Sequence, residues 1–292
     1  MIRVRAMREE DVDKAAHILV TAFAQVYRQR GHVPPFPNVE SAVWLCRAYL
    51  DLDPAGCAVA ELGGIPVGVG FVHVRGPAAS VGPLASRPGG PRGVGRALMQ
   101  HLGTLTRECT SVRLFQDAFN PDSFGLYSEL GYVVRDVAPY LLANDIKAAT
   151  AALPQVRIAR ADDRARIATL DRKLIGADRG RDLDFLTASG TVLVFERQRE
   201  LEGFLFFRSL PARAVIGPAI AQSEEVLISL VDAASQALPG RSAVMRASGA
   251  SPAVLRRAFE RGFRVDHLGN LMVAGEIQLP PSQLYALFPE SL

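Results

Sequence analysis

The 292-residue chain is poor in cysteine and lysine, and each shortage excludes a class of site. Its cysteines, Cys46, Cys57 and Cys109, are odd in number and widely spaced. We therefore expect neither a disulfide framework nor a bound metal. Lysine is rare and the arginines are scattered, so no basic run predicts binding to nucleic acid or to a membrane surface.

Long apolar runs and a strong net charge are also missing. No segment reaches membrane-spanning length, and the opening MIRVRAMREED is charged from the start, unlike a secretory signal. With 49% hydrophobic residues, 22% charged residues and a net charge of +3, the chain is typical of a globular protein with ample core. The length predicts two domains, and we expect a cytoplasmic location.

The most informative stretch runs from Ser80 to Leu105 and is typical of a strand, a glycine-rich loop and a helix. Proline cannot donate to a sheet, so Gly82-Pro83 predicts a bulge or splay in the strand. The loop glycines let a ligand approach the backbone, and helical spacing of apolar residues begins at Val94. Because a helix N-terminus attracts anions, this stretch predicts a phosphate-binding loop.

The loop lacks the signatures of two common nucleotide-binding folds. A P-loop ends in Gly-Lys-Ser/Thr, whereas Gly95 is followed by Arg96 and Ala97. The dinucleotide-binding fingerprint needs a third glycine and a position near the N-terminal strand, and Gly93-Val94-Gly95 has neither.

Residues Gly90 to Gly95 instead resemble the loop Gln/Arg-x-x-Gly-x-Gly/Ala, with which the GNAT acetyltransferase superfamily binds the pyrophosphate of acetyl-CoA. Gly90 stands in place of the usual Gln or Arg, and Pro91 removes one backbone donor. A second motif, Asn120 to Tyr132, resembles the family's Asn-x-x-(Ser/Ala)-x-x-x-Tyr-x-x-x-Gly-(Phe/Tyr). The resemblance implies an α/β fold with a central mixed, mostly antiparallel twisted sheet flanked by helices.

The order of elements in the first half, β-α-α-β-β-β-α-β-α-β, also resembles the GNAT topology. Besides the central stretch, the predicted elements are strands at Ile2–Met7, Cys57–Leu62, Pro66–Val74, Ser111–Phe115, Tyr132–Val137 and Tyr140–Leu142, and helices after Arg8, at Val39–Leu50 and after Asn120. The proline-rich segment Arg28–Asn38 is expected to be irregular.

The pattern of the first half begins again in the second. Arg157-x-x-Arg160-x-x-Asp163 repeats Arg5-x-x-Arg8-x-x-Asp11, Ile216-Gly217-Pro218 repeats Val81-Gly82-Pro83, and Ser251 to Phe263 repeats Asn120 to Tyr132. Shared anchors predict two tandem GNAT folds. We expect an N-terminal acetyltransferase domain at 1–143, a linker at 144–154 and a C-terminal degenerate domain at 155–292.

The second copy lacks the residues that would carry the chemistry. Glu224 and Glu225 stand where the phosphate would lie, and Ala258 stands where the first copy has Tyr127. We therefore expect the second copy not to bind CoA through this loop.

The resemblance also implies a role for each residue of the two motifs. In GNAT proteins the splayed strand binds pantetheine through its backbone, the loop binds the pyrophosphate, and the motif asparagine contacts the pantetheine arm. Carried over, the expected acetyl-CoA-binding residues are Leu84, Ala85, Ser86, Arg92, Gly93, Val94, Gly95, Arg96, Ala97, Asn120 and Ser123. Tyr127 matches the general acid that protonates the leaving thiolate, and the alternative is an aromatic that only packs on a helix face.

The sequence does not single out a general base or an acceptor. Ser80 stands where some family members carry glutamate, which leaves a water chain or one of three residues near predicted strand ends, namely Glu61, His73 and Asp117. The family places its acceptor-binding loop at Arg28–Asn38, which holds His32 and Phe36. Trp44 and Tyr49 line the same pocket or belong to the core.

These observations predict an acetyl-CoA-dependent N-acetyltransferase that acts on a primary amine of a small molecule or peptide by direct attack. No acyl-enzyme is expected, because none of the cysteines lies in either motif. The alternative is a non-catalytic sensor of acyl-CoA. The expected partners are acetyl-CoA, as co-substrate, and an amine acceptor, with the chain a monomer (an internal pseudo-dimer) or a homodimer.

Overall fold

The computed structural model describes residues 1–277 and 279–285. Contacts divide the chain into two units, the first made of Met1–Val133 with Met272–Gly275, and the second made of Val134–Leu271 with the C-terminal strand. The units change after Val133, and the first unit includes Met272–Gly275, so their bounds differ from those of the predicted domains at 1–143 and 155–292. The domains were predicted from the sequence repeat, and they stay a prediction. Residues 278 and 286–292 of the predicted second domain lie outside the described residues.

The first unit has a sheet with helices on both faces. In chain order its elements are β1 (Arg3–Ala6), α1 (Val12–Arg28), α2 (Val39–Leu52), β2 (Cys57–Leu62), β3 (Ile65–Arg75), β4 (Ala78–Ser86), α3 (Val94–Leu105), β5 (Ser111–Asp117) and α4 (Pro121–Glu129). The strands lie in the order β1-β2-β3-β4-β5, all antiparallel to their neighbours except the parallel pair β4 and β5. These bounds confirm the predicted elements to within a few residues.

The alternating residues of the strands divide the first unit's core into two layers. Val59, Val69 and Phe71 pack with α1 and α2, whereas Ala58, Ala60 and Val72 pack with α3. Successive side chains of a strand point to opposite faces, so one sheet supports both helix layers.

The second unit repeats this arrangement. Its elements are β6 (Val133–Ala143), β7 (Val156–Ile158), α5 (Asp163–Ile175), α6 (Gly180–Ser189), β8 (Thr191–Arg197), β9 (Glu200–Ser209), β10 (Ala214–Ala221), α7 (Glu224–Ala237), β11 (Ala243–Ala247), α8 (Pro252–Glu260), β12 (Arg264–Gly275) and β13 (Ser282–Tyr285). The strand order is β12-β6-β11-β13-β10-β9-β8-β7, and the last four residues of β12 belong to the first unit.

The sequence predicted two strands where the structure has the single strand β6. Pro139 lies inside it, and the residues after the proline, Tyr140–Ala143, pair with β11. A proline removes one N–H but keeps an extended backbone, so it does not end a strand whose hydrogen bonds continue on either side of it. The two-strand prediction was wrong for this reason.

No helix in the described residues is long and apolar enough to cross a membrane.

The Gly-Pro anchors of the two copies form the same bulge. In the pair of β3 with β4, Gly70 pairs with Leu84 and Val72 with Val81, so Gly82 and Pro83 fall outside the register. In the pair of β9 with β10, the residues left out between Ile216 and Ala219 are Gly217 and Pro218. The predicted bulge is confirmed in both copies.

The Arg-Asp anchors also form the same ion-pair cluster twice. Arg5 donates to both carboxylate oxygens of Asp11, at 2.6 and 2.8 Å, and the backbone N–H of Arg8 donates to the same group at 2.9 Å. Arg157 likewise holds both oxygens of Asp163, and the N–H of Arg160 donates to it at 2.8 Å. The repeat read from the sequence therefore extends to matching hydrogen bonds, which fix β1 to the start of α1 and β7 to the start of α5.

Replacing Asp163 by asparagine tests the structural value of this cluster. Its carboxylate is 1% exposed, and the hydrogen bonds from Arg157 hold its pKa well below the ordinary value of 3.8, against the opposing effect of burial. We expect Asp163→Asn to lower the free energy of unfolding by about 2–3 kcal/mol, measured in urea at pH 7.

The exposed pair of Arg164 and Asp184 provides the control, and Asp184→Asn should cost about 1 kcal/mol or less. A depressed pKa stabilises the fold above the unfolded value, so the Asp163 contribution should be full above about pH 4 and fall as the pH drops further. Equal losses for the two variants would contradict a structural role for the cluster.

Candidate functional site

The candidate site begins where β4 and β5 stop pairing. Their parallel register runs from Ala78 opposite Ser111 to Val81 opposite Leu114, and none of the described residues continues it beyond the bulge. Both strands nevertheless extend further, β4 to Ser86 and β5 to Asp117. One edge of β4 is therefore left without a strand partner over its last residues.

The predicted pantetheine-binding residues form that edge. Leu84, Ala85 and Ser86 pair on their other side with Gly70, Val69 and Gly68 of β3. Backbone groups that alternate along a strand edge can hydrogen-bond an extended ligand as they would an added strand. This arrangement suits an arm with amide groups, although the ligand role of these residues stays a prediction.

The loop after β4 leads into a helix whose N-terminus is not capped by a side chain. Gly93 is the N-cap of α3, has the left-handed φ of 87°, and has no side chain to satisfy the first N–H groups. The first turn of α3 contains no acidic residue. The N–H groups at Val94, Gly95 and Arg96 thus form the start of a helix that favours an anion.

Two residues of the predicted loop are already engaged within the protein. The N–H of Ala97 donates to the carbonyl of Gly93 at 3.0 Å, so it closes the first helical turn rather than facing a ligand. The Arg96 side chain forms an ion pair with Glu129 of α4. Arg92 is exposed beside the loop, where its charge favours an anion.

Gly95 leaves little room for a side chain, and its backbone conformation does not itself call for glycine. A Cβ at this position would lie 3.2 Å from a methyl carbon of Leu126 and 3.7 Å from one of Leu84. The glycine therefore lets α3 approach α4 and the free end of β4 at the place where the loop opens.

Asn120 and Ser123 are held by one side-chain amide from β5. The Asn120 oxygen accepts from the backbone N–H of Ser123 at 3.4 Å, as an N-cap of α4, and the Ser123 hydroxyl donates to the Asn120 carbonyl at 3.0 Å. The buried Gln116 amide donates to the Asn120 carbonyl at 2.8 Å and to the Ser123 hydroxyl at 3.1 Å. Gln116, which the sequence did not single out, fixes the geometry of this motif.

Tyr127 lies almost wholly inside the first unit, with 8% of its surface exposed. Its ring packs with Leu98, Leu126 and Tyr132, and its hydroxyl forms no hydrogen bond with any residue that the structure describes. Burial, and then the nearby charge of Asp117, raise the pKa of the phenol above its ordinary value. The phenol thus stays protonated at neutral pH and remains able to donate.

Two of the candidate bases lie in ion-pair clusters of their own. Glu61 accepts from Arg5 at 2.9 Å, beside the Arg5–Asp11 cluster. His73 is 1% exposed, and its Nδ1 lies 2.6 Å from a carboxylate oxygen of Asp53, which also binds Arg75. Both arrangements hold strands and turns together.

The third candidate, Asp117, lies at the open end of β5 and accepts the Tyr27 hydroxyl at 2.7 Å. The predicted acceptor loop meets it there through aromatic rings. His32 stacks on Phe119 with centroids 4.7 Å apart, and Phe119 is edge-on to Tyr27 at 5.0 Å. Tyr27 and Phe119 were not predicted, although each directly precedes a segment that the sequence had marked.

The other predicted pocket residues separate into core and surface. Tyr49 is buried against Phe71 and His73, and Phe36 is buried in the α1–α2 layer, where it packs on Phe23. Trp44 is 46% exposed. Of these three residues, which the sequence placed near the acceptor pocket, Phe36 and Tyr49 are core residues and Trp44 lies on the surface.

In the second unit, the matching gap is filled by the protein itself. Beyond the Gly217-Pro218 bulge, β13 pairs antiparallel with β10, from Ala219 opposite Leu284 to Ala221 opposite Ser282. It pairs at the same time with Arg246 and Ala247 of β11. The edge that is free in the first unit therefore has a strand of the chain as its partner.

The helix that follows this gap is also closed to anions. Ser223 caps α7 by accepting from the N–H of Val226 at 3.3 Å, and Glu224 and Glu225 occupy the first turn. Carboxylates there satisfy the positive end of the helix dipole and repel a phosphate. The missing glycines, the cap and β13 thus all oppose the binding of an extended anionic ligand at this place in the second unit.

Comparisons with known proteins agree with this fold. The family model described as "Acetyltransferase (GNAT) domain" matches residues 167–286. A sequence search among curated proteins finds no significant match.

Similar solved structures cover nearly the whole chain. They include a putative acetyltransferase from Pyrococcus horikoshii, with TM-score 0.78, 20% identity and coverage of 99% of this chain and 95% of that one. A GCN5-related N-acetyltransferase from Sphaerobacter thermophilus has TM-score 0.62 at 14% identity, with coverage of 96% of each chain. A tandem GNAT protein from the clavulanic acid biosynthesis pathway has TM-score 0.59 at 16% identity, with coverage of 94% of this chain and 98% of that one.

These matches support an acetyltransferase. The family model matches the second half of the chain, where β13 fills the gap. The first half resembles GNAT proteins in its fold and in its two sequence motifs. Residues 167–286 thus match the GNAT acetyltransferase domain model, and the chain as a whole has the fold of a tandem GNAT protein.

Proposed function

We propose that the first unit transfers the acetyl group of acetyl-CoA to a primary amine. One observation carries the proposal: the free edge of β4 at Leu84–Ser86 leads directly to the uncapped N-terminus of α3. An amide-bearing arm that ends in a pyrophosphate has chemistry complementary to these two features in that order. The second unit, whose edge is covered by β13, is proposed to bind no CoA.

Tyr127 and water supply the proton transfers that the reaction needs. The amine nitrogen bonds to the thioester carbon, the carbon–sulfur bond breaks, and Tyr127 donates its phenolic proton to the leaving sulfur. An acceptor that enters as an ammonium ion loses two protons to water, of which one restores the phenol and the other remains in solution. No covalent enzyme intermediate is required.

Matched glycine substitutions test the assignment of the anion site. Gly93 and Gly176 both have a left-handed φ, of 87° and 77°, and at both positions a Cβ would meet nothing within 4 Å. Each change to alanine should therefore cost about 1 kcal/mol of stability from backbone strain alone. Calorimetry on the unaltered chain should find one CoA site, and we expect only Gly93→Ala to weaken it, by about tenfold or more, because the strained turn carries the phosphate-binding N–H groups.

The control, Gly176→Ala, lies at the end of α5 in the second unit and should bind CoA normally. Two equivalent sites in the unaltered chain, or equal weakening by both variants, would contradict the assignment to the first unit.

Replacing Tyr127 by phenylalanine tests the proposed acid. The change keeps the buried ring and removes only the hydroxyl, so kcat should fall by about 10²–10⁴-fold while the affinity for acetyl-CoA is nearly unchanged. Because the phenol's pKa is raised above its ordinary value of 10.0, its ionisation should cause no loss of rate below about pH 10.

Tyr132→Phe is the matched control, since the neighbouring Tyr132 ring is also buried. Burial raises the pKa of its phenol to about 12. This variant should retain most of the activity. Tyr127→Phe with full kcat would reduce Tyr127 to a packing residue. Acetyl-CoA binding without transfer to any amine would favour the alternative function, a sensor of acyl-CoA.

A further inference from the structure

The open end of β5 carries a carboxylate in a fixed position. Asp117 is the last residue of the strand, three residues beyond Leu114, the last β5 residue that pairs with β4. Tyr27, which is 5% exposed, donates its hydroxyl to the carboxylate at 2.7 Å. The buried Gln116 amide binds the carbonyls of Asp117 and Asn120 and so fixes the backbone on both sides of the turn.

Tyr27, which holds this carboxylate, belongs to a cluster of aromatic rings. Phe119 is edge-on to Tyr27, with the ring planes at 88°, and His32 stacks on Phe119 at 26°. The ring centroids of Phe23 and Tyr27 lie 6.1 Å apart, and the Phe23 ring packs edge-on against Phe36. The rings come from α1, from the irregular segment that follows it and from the turn after β5, so they converge on one place.

Asp117 also lies near the helix that carries the proposed acid, because β5 ends at Asp117 and α4, which contains Tyr127, begins four residues later. Leu126 of the same helix lies beside Gly95 and Leu84, at the free end of β4. Asp117 and α4 therefore both border the gap between β4 and β5, and the charge of Asp117 contributes, after burial, to the raised pKa of Tyr127. An acceptor must bring its nitrogen to this region if Tyr127 protonates the leaving sulfur.

A carboxylate held at the edge of an aromatic cluster has a definite ligand chemistry. It attracts a cation, and aromatic faces and edges bind the carbon skeleton attached to that cation. It disfavours a ligand that carries its own carboxylate beside the nitrogen, because two like charges would then face each other.

We propose that Asp117 binds the ammonium group of the acceptor while Tyr27, Phe119 and His32 contact its carbon skeleton. The acceptors are thus primary alkylamines or arylalkylamines without a carboxylate next to the nitrogen. This inference rests on the proposed function and names the substrate class of that same site. Asp117 and Tyr27 are binding residues in this account.

The test uses two acceptors that differ by one carboxylate, 2-phenylethylamine and phenylalanine. With the full-length chain and acetyl-CoA, kcat/KM for 2-phenylethylamine should exceed that for phenylalanine by about 100-fold or more. Asp117→Asn should raise the KM for 2-phenylethylamine by about 10- to 100-fold, the effect of losing a charged hydrogen bond, and leave acetyl-CoA affinity unchanged.

Tyr27→Phe keeps the ring and removes only the hydroxyl that orients the carboxylate, so its KM should rise by about 3- to 10-fold. It also keeps the test decisive if Asp117→Asn does not fold. The control Asp122→Asn removes an exposed carboxylate from the first turn of α4 and should leave the KM unchanged.

Failure of this inference is distinguishable from failure of the proposed function. Transfer to phenylalanine at a rate equal to or above that for 2-phenylethylamine would overturn the inference and leave the acetyltransferase intact. If no amine is acetylated, the proposed function fails, and calorimetry of 2-phenylethylamine with the CoA-bound chain still decides the inference. Binding that Asp117→Asn abolishes would support it, and absent or unaltered binding would overturn it.

Discussion

The candidate site depends on one constraint, the end of hydrogen bonding between β4 and β5. Gly82 and Pro83 fall outside the register of β3 with β4, and after Val81 the parallel pairing with β5 is not resumed in the described residues. A proline offers no N–H to a neighbouring strand, so the two strands separate. The separation leaves a free edge beside the glycine-rich turn and brings Asp117 to the far side of the same gap.

The second unit forms the same bulge and then closes the gap with β13. An unpaired edge buried within a protein would leave backbone groups without partners, so it must be paired by a ligand or by the chain. The second unit uses its own chain, and a ligand is what we propose for the first. The GNAT family match at 167–286 therefore covers a fold that has the bulge and the helices, and in which Glu224 and Ala258 stand at the positions that match the proposed loop and Tyr127 of the first unit.

Most of the fold could be predicted because its determinants are local. The Gly-Pro bulge, the start of α3 at Val94 and the short helix after Asn120 follow from residues next to one another, and the repeated Arg-Asp anchors formed matching ion pairs. The sequence missed what depends on long-range pairing. β13 lies more than sixty residues from the strand whose edge it covers, and its four residues, Ser-Gln-Leu-Tyr, show no strand alternation in the sequence.

The sequence predicted where the backbone elements of the candidate site lie better than it predicted the contacts of the side chains. Leu84–Ser86 lie at the free end of β4 and Gly93 at the start of α3, and their ligand roles stay a prediction. The N–H of Ala97 is used inside α3, and Glu61 is used in an ion pair. The partnership of Tyr27 with Asp117 joins residues 90 positions apart, so no spacing rule could reveal it.

The account's central claim is that the same gap is a ligand site in the first unit and is filled by the chain in the second. A crystal structure of the full chain with an unreactive acetyl-CoA analogue tests this claim most directly. The account predicts one analogue per chain, with its arm along Leu84–Ser86, its pyrophosphate at the start of α3, and β13 still paired with β10. An analogue bound between β10 and β11, with β13 displaced, would contradict it.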